Sequence, residues 1–275
     1  MSPFTGSAGL TERWEHFGYA EEAGVATVTF DRPERLNALT FEVYADLRDL
    51  LAELPNRDRV RVLVLTGRGP MACRAPMMSR TSPPEQNPRP RELLDFTRMT
   101  GAVVQRLREL PLPVVAAVNG VAAGAGAVIA LAADLRLLAR SASLQFLFTR
   151  VGLSGADMGC AYLLPRLVGL GRAAELLLLG DKVDADQAAT LGLANRVVDD
   201  PELPAAADEL ARRLADGPAL AYAATKVLLA RELDLPLSGA LELEAVTQAL
   251  LLGSEDHREF YAAFTEGRSP AWKGR

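Results

Sequence analysis

A chain of 275 residues with 49% apolar positions can bury a substantial core as one large domain or a domain with an appendage. Its formal charge of −5 is spread along the sequence without a basic block, which argues against a nucleic-acid partner. Cys73 and Cys160, the two cysteines, lie far apart with no CxxC and no histidine cluster, which argues against a disulfide framework or structural zinc and points to a reducing cytoplasm.

Residues 1–18 hold neither an apolar core nor a basic n-region, so they read as a flexible leader and not as a signal peptide or anchor. "VATVTF" at 25–30 and "VRVLVLT" at 60–66 are β-branched apolar runs of strand length. Between them Thr40 is placed to cap a helix carrying Phe41, Tyr44, Leu47, Leu50, Leu51 and Leu54 at helical spacing. The Pro- and Arg-rich run "RTSPPEQNPRPR" at 80–91 reads as an exposed loop, and residues 74–90 are expected to be irregular.

A second helix follows, with Leu93, Leu94, Phe96, Met99, Val103, Leu107 and Leu110 on one stripe, and then a buried strand, "PVVAAVN" at 113–119. The uncharged stretch from Leu110 to Ala133 is broken by Pro111, Pro113, Asn119 and glycines, so it reads as a buried strand and helix and not as a membrane span. After Leu163 strand signals nearly stop and helical patterns run to the end. The fold class is α/β, with sheets covered by crossover helices.

The stretch "PVVAAVNGVAAGAGAVIALAADLRL" carries the clearest chemistry. A strand leads into Asn119-Gly120 and then into a Gly/Ala run that opens a helix. Such an opening exposes unpaired N–H groups and the positive end of the helix dipole to a close ligand, a geometry suited to a developing oxyanion. Each such donor is worth about 3 to 4 kcal/mol in proteases. Tight helix packing is the competing explanation for the small residues. A dinucleotide turn fits worse, because Ile129 occupies the third glycine position.

Asp157, in the loop entering a helix at "AYLLP", is either a helix cap or a carboxylate raised by an apolar pocket to serve as acid and base. His16 and His257 read as solvated, Cys160 as a small core residue, and Ser154 lacks a GxSxG elbow and a histidine partner.

"FDRPERLNALT" at 30–40, "VVAAVNGVAAGAG" at 114–126, "YLLPRLVGLGRAAELLLLGDKVDADQAATLGLANRVV" at 162–198 and "FTEGRSPAWKGR" at 264–275 together resemble the crotonase (enoyl-CoA hydratase/isomerase) superfamily. The resemblance covers nearly the whole chain. It implies a crotonase-like ββα spiral core over residues 19–200 and a C-terminal helical trimerisation region over 201–275, assembled as a homotrimer or a hexamer of two trimers. It also implies a coenzyme A thioester as substrate, no tightly bound cofactor, no nucleic-acid or membrane partner, and a cytoplasmic location.

In that family two backbone amides hold the thioester oxygen of an enolate. By resemblance one belongs to Ala125, next to Gly124, and the other falls on Pro76, within a segment where Cys73 and Ala75 match the family and Met77 does not. Proline has no N–H, so this half of the oxyanion hole departs from the pattern. The two hydratase glutamate positions fall on Val128 and Phe148, which cannot move a proton. Asp157 resembles the aspartate of dienoyl-CoA isomerases and the nucleophile of chlorobenzoyl-CoA dehalogenases, and Tyr162 is a further candidate donor. Arg35, Leu36 and Ala38 match the adenine and phosphate loop, while Lys226, Lys273 and Arg74 are candidates for the coenzyme's phosphates. The expected activity is hydration, dehydration or double-bond isomerisation on an acyl-CoA. A thioester hydrolase or dehalogenase using Asp157 as nucleophile, and a silent acyl-CoA-binding scaffold, are the alternatives.

Overall fold

The computed structural model describes residues 9–69 and 90–274. Strand β1 (Gly18–Glu22) turns at Ala23 and Gly24, both at positive φ, into antiparallel β2 (Val25–Phe30). Two left-handed residues match the twist that a tight hairpin requires. Helix α1 (Phe41–Glu53) then crosses to β3 (Val62–Gly67), parallel to β2, and α2 (Pro90–Glu109) precedes β4 (Val114–Val118), parallel to β3.

From β4 onward the chain passes back and forth between two sheets. β5 (Val121–Ala123) leads into α3 (Ala125–Ala132), then β6 (Leu135–Ala139) and β7 (Ser143–Gln145). Helices α4 (Cys160–Val168) and α5 (Leu170–Leu179) precede β8 (Lys182–Asp184), α6 (Ala185–Thr190) and β9 (Arg196–Val198). The first sheet has order β1-β2-β3-β4-β6-β9 and the second β5-β7-β8. Consecutive strands β4 and β5, and likewise β6 and β7, therefore go to different sheets, β7 and β8 both lie in the second, and the chain winds as a spiral. The remaining helices are α7 (Leu203–Ala215), α8 (Ala219–Arg231), α9 (Leu237–Leu252) and α10 (Glu255–Glu266).

Burial follows the strand patterns. All five residues of β4 are buried, whereas β2 alternates, with Ala26, Val28 and Phe30 inward. A central parallel strand is covered on both faces and reads as a continuous apolar run. Helix α7 covers one face of β2, β3, β4 and β6, and its buried Ala206, Ala207 and Ala211 allow close approach. The helical region expected from residue 201 thus begins with a helix that belongs to the core.

Several local expectations are corrected. Thr40 occupies the N-cap position of α1 but its side chain makes no cap hydrogen bond and meets the Glu42 carboxylate instead, Phe41 is exposed, and Leu54 lies in a 3-10 turn beyond the helix. In α2, Leu93 and Leu94 are exposed, and the fully buried positions are Thr100, Val103, Val104 and Leu107. Phe96 instead packs edge-on against Phe41 at 4.7 Å. The leader expected to reach residue 18 is packed from Thr11: Thr11 bonds Glu53, Trp14 and Phe17 join the core, and His16 Nδ1 meets Asp46 at 2.7 Å. Strand pairing continues past residue 163, in β8 and β9, which are too short to leave a period in the sequence. Among the described residues no helix is long and apolar enough to cross a membrane.

Candidate active site

The turn between β5 and α3 is built on Gly124, at φ 57 and ψ −122, a conformation open to glycine alone. Its N–H donates to the Gln145 carbonyl at 2.8 Å, pinning the turn to β7. The next residue, Ala125, opens α3, so its N–H has no partner within the helix. Ala125 is 2% exposed. A hollow lined by Phe30, Gly67, Val118, Ala122, Gly126 and Ile129 adjoins this turn at the ends of β2, β3 and β4.

Asn119 ties the turn to its neighbour. Its Nδ2 donates to the Gly67 carbonyl at 2.8 Å and also to that of Gly69, so the exit of β3 is held against the end of β4. Among the described residues its buried Oδ1 has no hydrogen-bond partner. The sequence marks Asn119 only as a turn residue, and its bridging role depends on the parallel pairing of β3 with β4.

A second strained element follows β2. Leu36 and Asn37 both lie at positive φ, 54° and 50°, where side chains are rarely accommodated. Asn37, 1% exposed, accepts from the Arg32 N–H at 2.7 Å and donates to the Arg68 carbonyl at 3.0 Å. The buried amide thereby holds the loop that presents Arg35, Leu36 and Ala38 at the same end of the sheet as Gly67. The sequence marks Asn37 only as part of the backbone from Leu36 to Ala38, and its side-chain role depends on the neighbouring end of β3.

Asp157 lies in the loop before α4. Its Oδ1 accepts from the Met158 N–H at 2.9 Å, and the N-cap of α4 is Gly159, which makes no side-chain cap bond. The helix-capping explanation of Asp157 therefore fails. Met158 and Gly159 are both left-handed, at φ 49 and 83, which turns the chain sharply after the carboxylate. Burial pushes the Asp157 carboxyl up from 3.8, and the Met158 N–H offsets part of that rise. The loop is seated by Gly155, where an added Cβ would lie 2.5 Å from the Leu177 carbonyl oxygen, and by the Cys160 thiol, which donates to the Gly155 carbonyl at 2.9 Å. The helix that follows this loop, α4, packs against α3, the helix that Ala125 opens.

Val128, in the first turn of α3, is 0% exposed, and Phe148 is 5% exposed, so the two residues assigned by resemblance to the glutamate positions are buried apolar side chains. Other candidates point elsewhere. The Tyr162 hydroxyl donates to Asp234 at 2.6 Å under the Arg166 guanidinium, which lies 3.5 Å from its ring centroid. Lys226, expected near a phosphate, is buried, with Nζ 2.7 Å from Asp134 and donating to the Leu112 carbonyl at 2.9 Å. Lys273 is half-exposed, with Nζ 3.7 Å from Glu255 and its backbone N–H bonded to Asp256. Ser154 Oγ accepts from Ala156 N–H in a local turn, and His257 lies on α10. Cys73, Arg74, Ala75, Pro76 and Met77 lie outside the described residues.

Residues 20–275 match the family model described as enoyl-CoA hydratase/isomerase. The chain belongs to this family. Its spiral of strands and helices is the crotonase fold, and a crystal structure of an enoyl-CoA hydratase homologue from Streptomyces coelicolor A3(2) is similar over 100% of both chains, at 58% identity and a TM-score of 0.96. Among curated crotonase relatives, the 1,2-epoxyphenylacetyl-CoA isomerase of Escherichia coli K12 is 39% identical over 92% of this chain and 97% of its own. The (E)-benzylidenesuccinyl-CoA hydratase of Thauera aromatica is 33% identical over 91% of this chain and 96% of its own. In this crotonase the turn with small residues opens α3 at Ala125.

Proposed function

We propose that this protein is an acyl-CoA isomerase that moves a double bond through an enolate, with Asp157 as the group that carries the proton and no tightly bound cofactor. The observation that carries the reading is the half-buried Asp157 carboxyl, raised by burial and not engaged as the N-cap of α4; it is supported by the apolar Val128 and Phe148 at the two positions that resemblance assigns to the hydratase glutamates. Hydration needs a water held and deprotonated between two carboxylates, whereas isomerisation needs one base that takes a proton from one carbon and returns it to another. The Ala125 N–H receives the enolate oxygen formed between those steps.

A carboxylate whose pKa is raised is the stronger base for the proton it takes from the substrate, which suits proton transfer. Similarity to the 1,2-epoxyphenylacetyl-CoA isomerase supports isomerase chemistry on a CoA thioester. Arg35, the backbone of Leu36 and Ala38, and Lys273 are assigned to the nucleotide end of the coenzyme. The exposed Leu237, Leu241 and Leu250 of α9 form the apolar contact of a homotrimer.

The test is turnover of 3-enoyl-CoA to the conjugated 2-enoyl product, followed by absorbance of the thioester. Asp157→Asn is expected to lower kcat on the order of 10²- to 10⁴-fold while retaining affinity for coenzyme A. Full turnover by that variant removes Asp157 from the chemistry.

A further inference from the structure

Side chains hold the exit of β3 where its backbone ladders stop. Pairing with β2 ends at Phe30 and Gly67, and pairing with β4 ends at Thr66 and Ala117. Beyond those pairs two asparagines, one from each side, take three consecutive carbonyls: Asn119 donates to Gly67 and Gly69, and Asn37 donates to Arg68. The Arg68 N–H adds a bond to the Phe30 carbonyl at 2.8 Å, and its guanidinium meets Asp31 at 2.7 Å. Only an amide or a cationic side chain can place two N–H donors on two carbonyls. Among the described residues the buried Asn119 Oδ1 has no partner, so the polar work of this side chain lies in its two donations.

Each asparagine also belongs to an element of the site. Asn37, at φ 50, sits in the loop whose Arg35, Leu36 and Ala38 are assigned to the nucleotide end of the coenzyme, and its Oδ1 accepts from the Arg32 N–H at 2.7 Å. Asn119 follows β4 and precedes β5, the strand that runs into the Gly124–Ala125 turn. Gly67, between the two, lines the hollow that adjoins this turn. One hydrogen-bonded chain therefore runs from the nucleotide loop, across the β3 exit, to the strands that carry the Ala125 N–H. We infer that Asn37 and Asn119 are positioning residues: they fix the β3 exit against the Ala125 turn, and Asn37 makes that geometry depend on the nucleotide end of the coenzyme. The inference rests on the acyl-CoA reading above. The exit has glycine at Gly67 and again at Gly69, which lies at φ 80, so without its side-chain donors the segment has many paths open to it. A displacement of about 1 Å near the reacting atoms is enough to cost on the order of 10²-fold in rate. Binding energy gained at a remote nucleotide appears in kcat when the loop receiving it is tied to the reacting centre.

Two measurements on the full chain separate positioning from packing. Turnover of the 3-enoyl thioesters of coenzyme A and of pantetheine gives kcat with and without the nucleotide. Isotope-edited infrared spectra of a bound saturated acyl-CoA report how strongly the thioester carbonyl is polarised, and need no turnover. Asn119→Ala is expected to lower kcat on the order of 10²-fold for both thioesters, with KM little changed, and to lose most of the carbonyl shift. Asn37→Asp keeps the acceptor for the Arg32 N–H and removes the donor to Arg68, so it should bring kcat for the coenzyme A thioester down to that for the pantetheine thioester. Where a variant does not fold, Asn119→Ser, which keeps one donor, and Asn37→Gly, which suits the left-handed backbone, carry the same readouts. Folded variants that lose stability or raise KM while kcat and the carbonyl shift stay at wild-type values overturn the inference. Equal kcat for the two thioesters in the wild type overturns it as well. Failure of the wild type to bind acyl-CoA overturns this inference and the acyl-CoA reading together. A polarised carbonyl without movement of the double bond overturns the isomerase reading alone, and the infrared shifts of the variants then decide the inference.

Discussion

Replacing Lys226 by methionine separates a structural charge from a ligand-binding one. The lysine is 6% exposed, with Nζ 2.7 Å from Asp134 and 2.9 Å from the Leu112 carbonyl. Methionine keeps most of the apolar stem and removes the charge. Breaking a buried ion pair by deleting one partner costs about 3 to 5 kcal/mol, because the remaining charge stays desolvated. Here Asp134 keeps two donors, the Val114 N–H at 2.8 Å and Arg108 at 3.5 Å, and its side chain is 22% exposed. The expected loss is therefore smaller, about 2 kcal/mol. Urea unfolding at fixed protein concentration measures it, and the double variant with Asp134→Asn should recover about 1 kcal/mol as coupling between the two sites. Coenzyme A affinity, measured by calorimetry, should change by no more than about twofold, since the ammonium faces Asp134 and not solvent. A stability loss below about 0.5 kcal/mol, or a salt-dependent tenfold loss of coenzyme A affinity, would refute the reasoning.

Other expectations follow from the loop that carries Asp157. Gly155→Ala places a Cβ 2.5 Å from the Leu177 carbonyl oxygen, a backbone contact that cannot rotate away, so a loss of about 1 to 3 kcal/mol in thermal or urea unfolding is expected together with reduced turnover. Asp157→Asn should be more stable than the wild type at neutral pH. The folded carboxyl titrates above 3.8, so the folded state binds more protons than the unfolded one between 3.8 and its raised value, and stability falls as pH rises through that window. The advantage of the asparagine variant should vanish below 3.8, and parallel stability curves for the two proteins at all pH values would show that the carboxyl is not perturbed by folding. If the ionised Asp157 removes the proton, kcat/KM should rise with pH on an acid limb centred above 3.8, and that limb should be absent from the asparagine variant's residual rate.

Much of the fold was legible because its signals are local. The runs at 25–30 and 60–66, the helix at 41–54 and the Gly/Ala opening of α3 each carry their own period or turn chemistry. The three-residue strands β5, β7, β8 and β9 were not legible, since a strand that short shows no alternation and is defined by its partner. Phe41, Leu93 and Leu94 follow a helical stripe yet stay exposed, because a stripe gives a direction and only the neighbouring elements determine where cover ends.

At the candidate site the same division holds. The amino-acid sequence by itself determined that a glycine-rich turn opens a helix at Ala125 and that one aspartate stands before α4. Only the tertiary structure decided what those groups meet. Asp157 makes no cap because Met158 and Gly159 turn left-handed and shift the N-cap past it. Lys226 is consumed by Asp134, distant in sequence, and Tyr162 by Asp234. Asn119 and Asn37 gain their roles from carbonyls on β3 and just beyond it. Backbone turns are set by residues adjacent in the chain, whereas the partner of a polar side chain is set by which elements the core brings together, and a single sequence does not contain that distance.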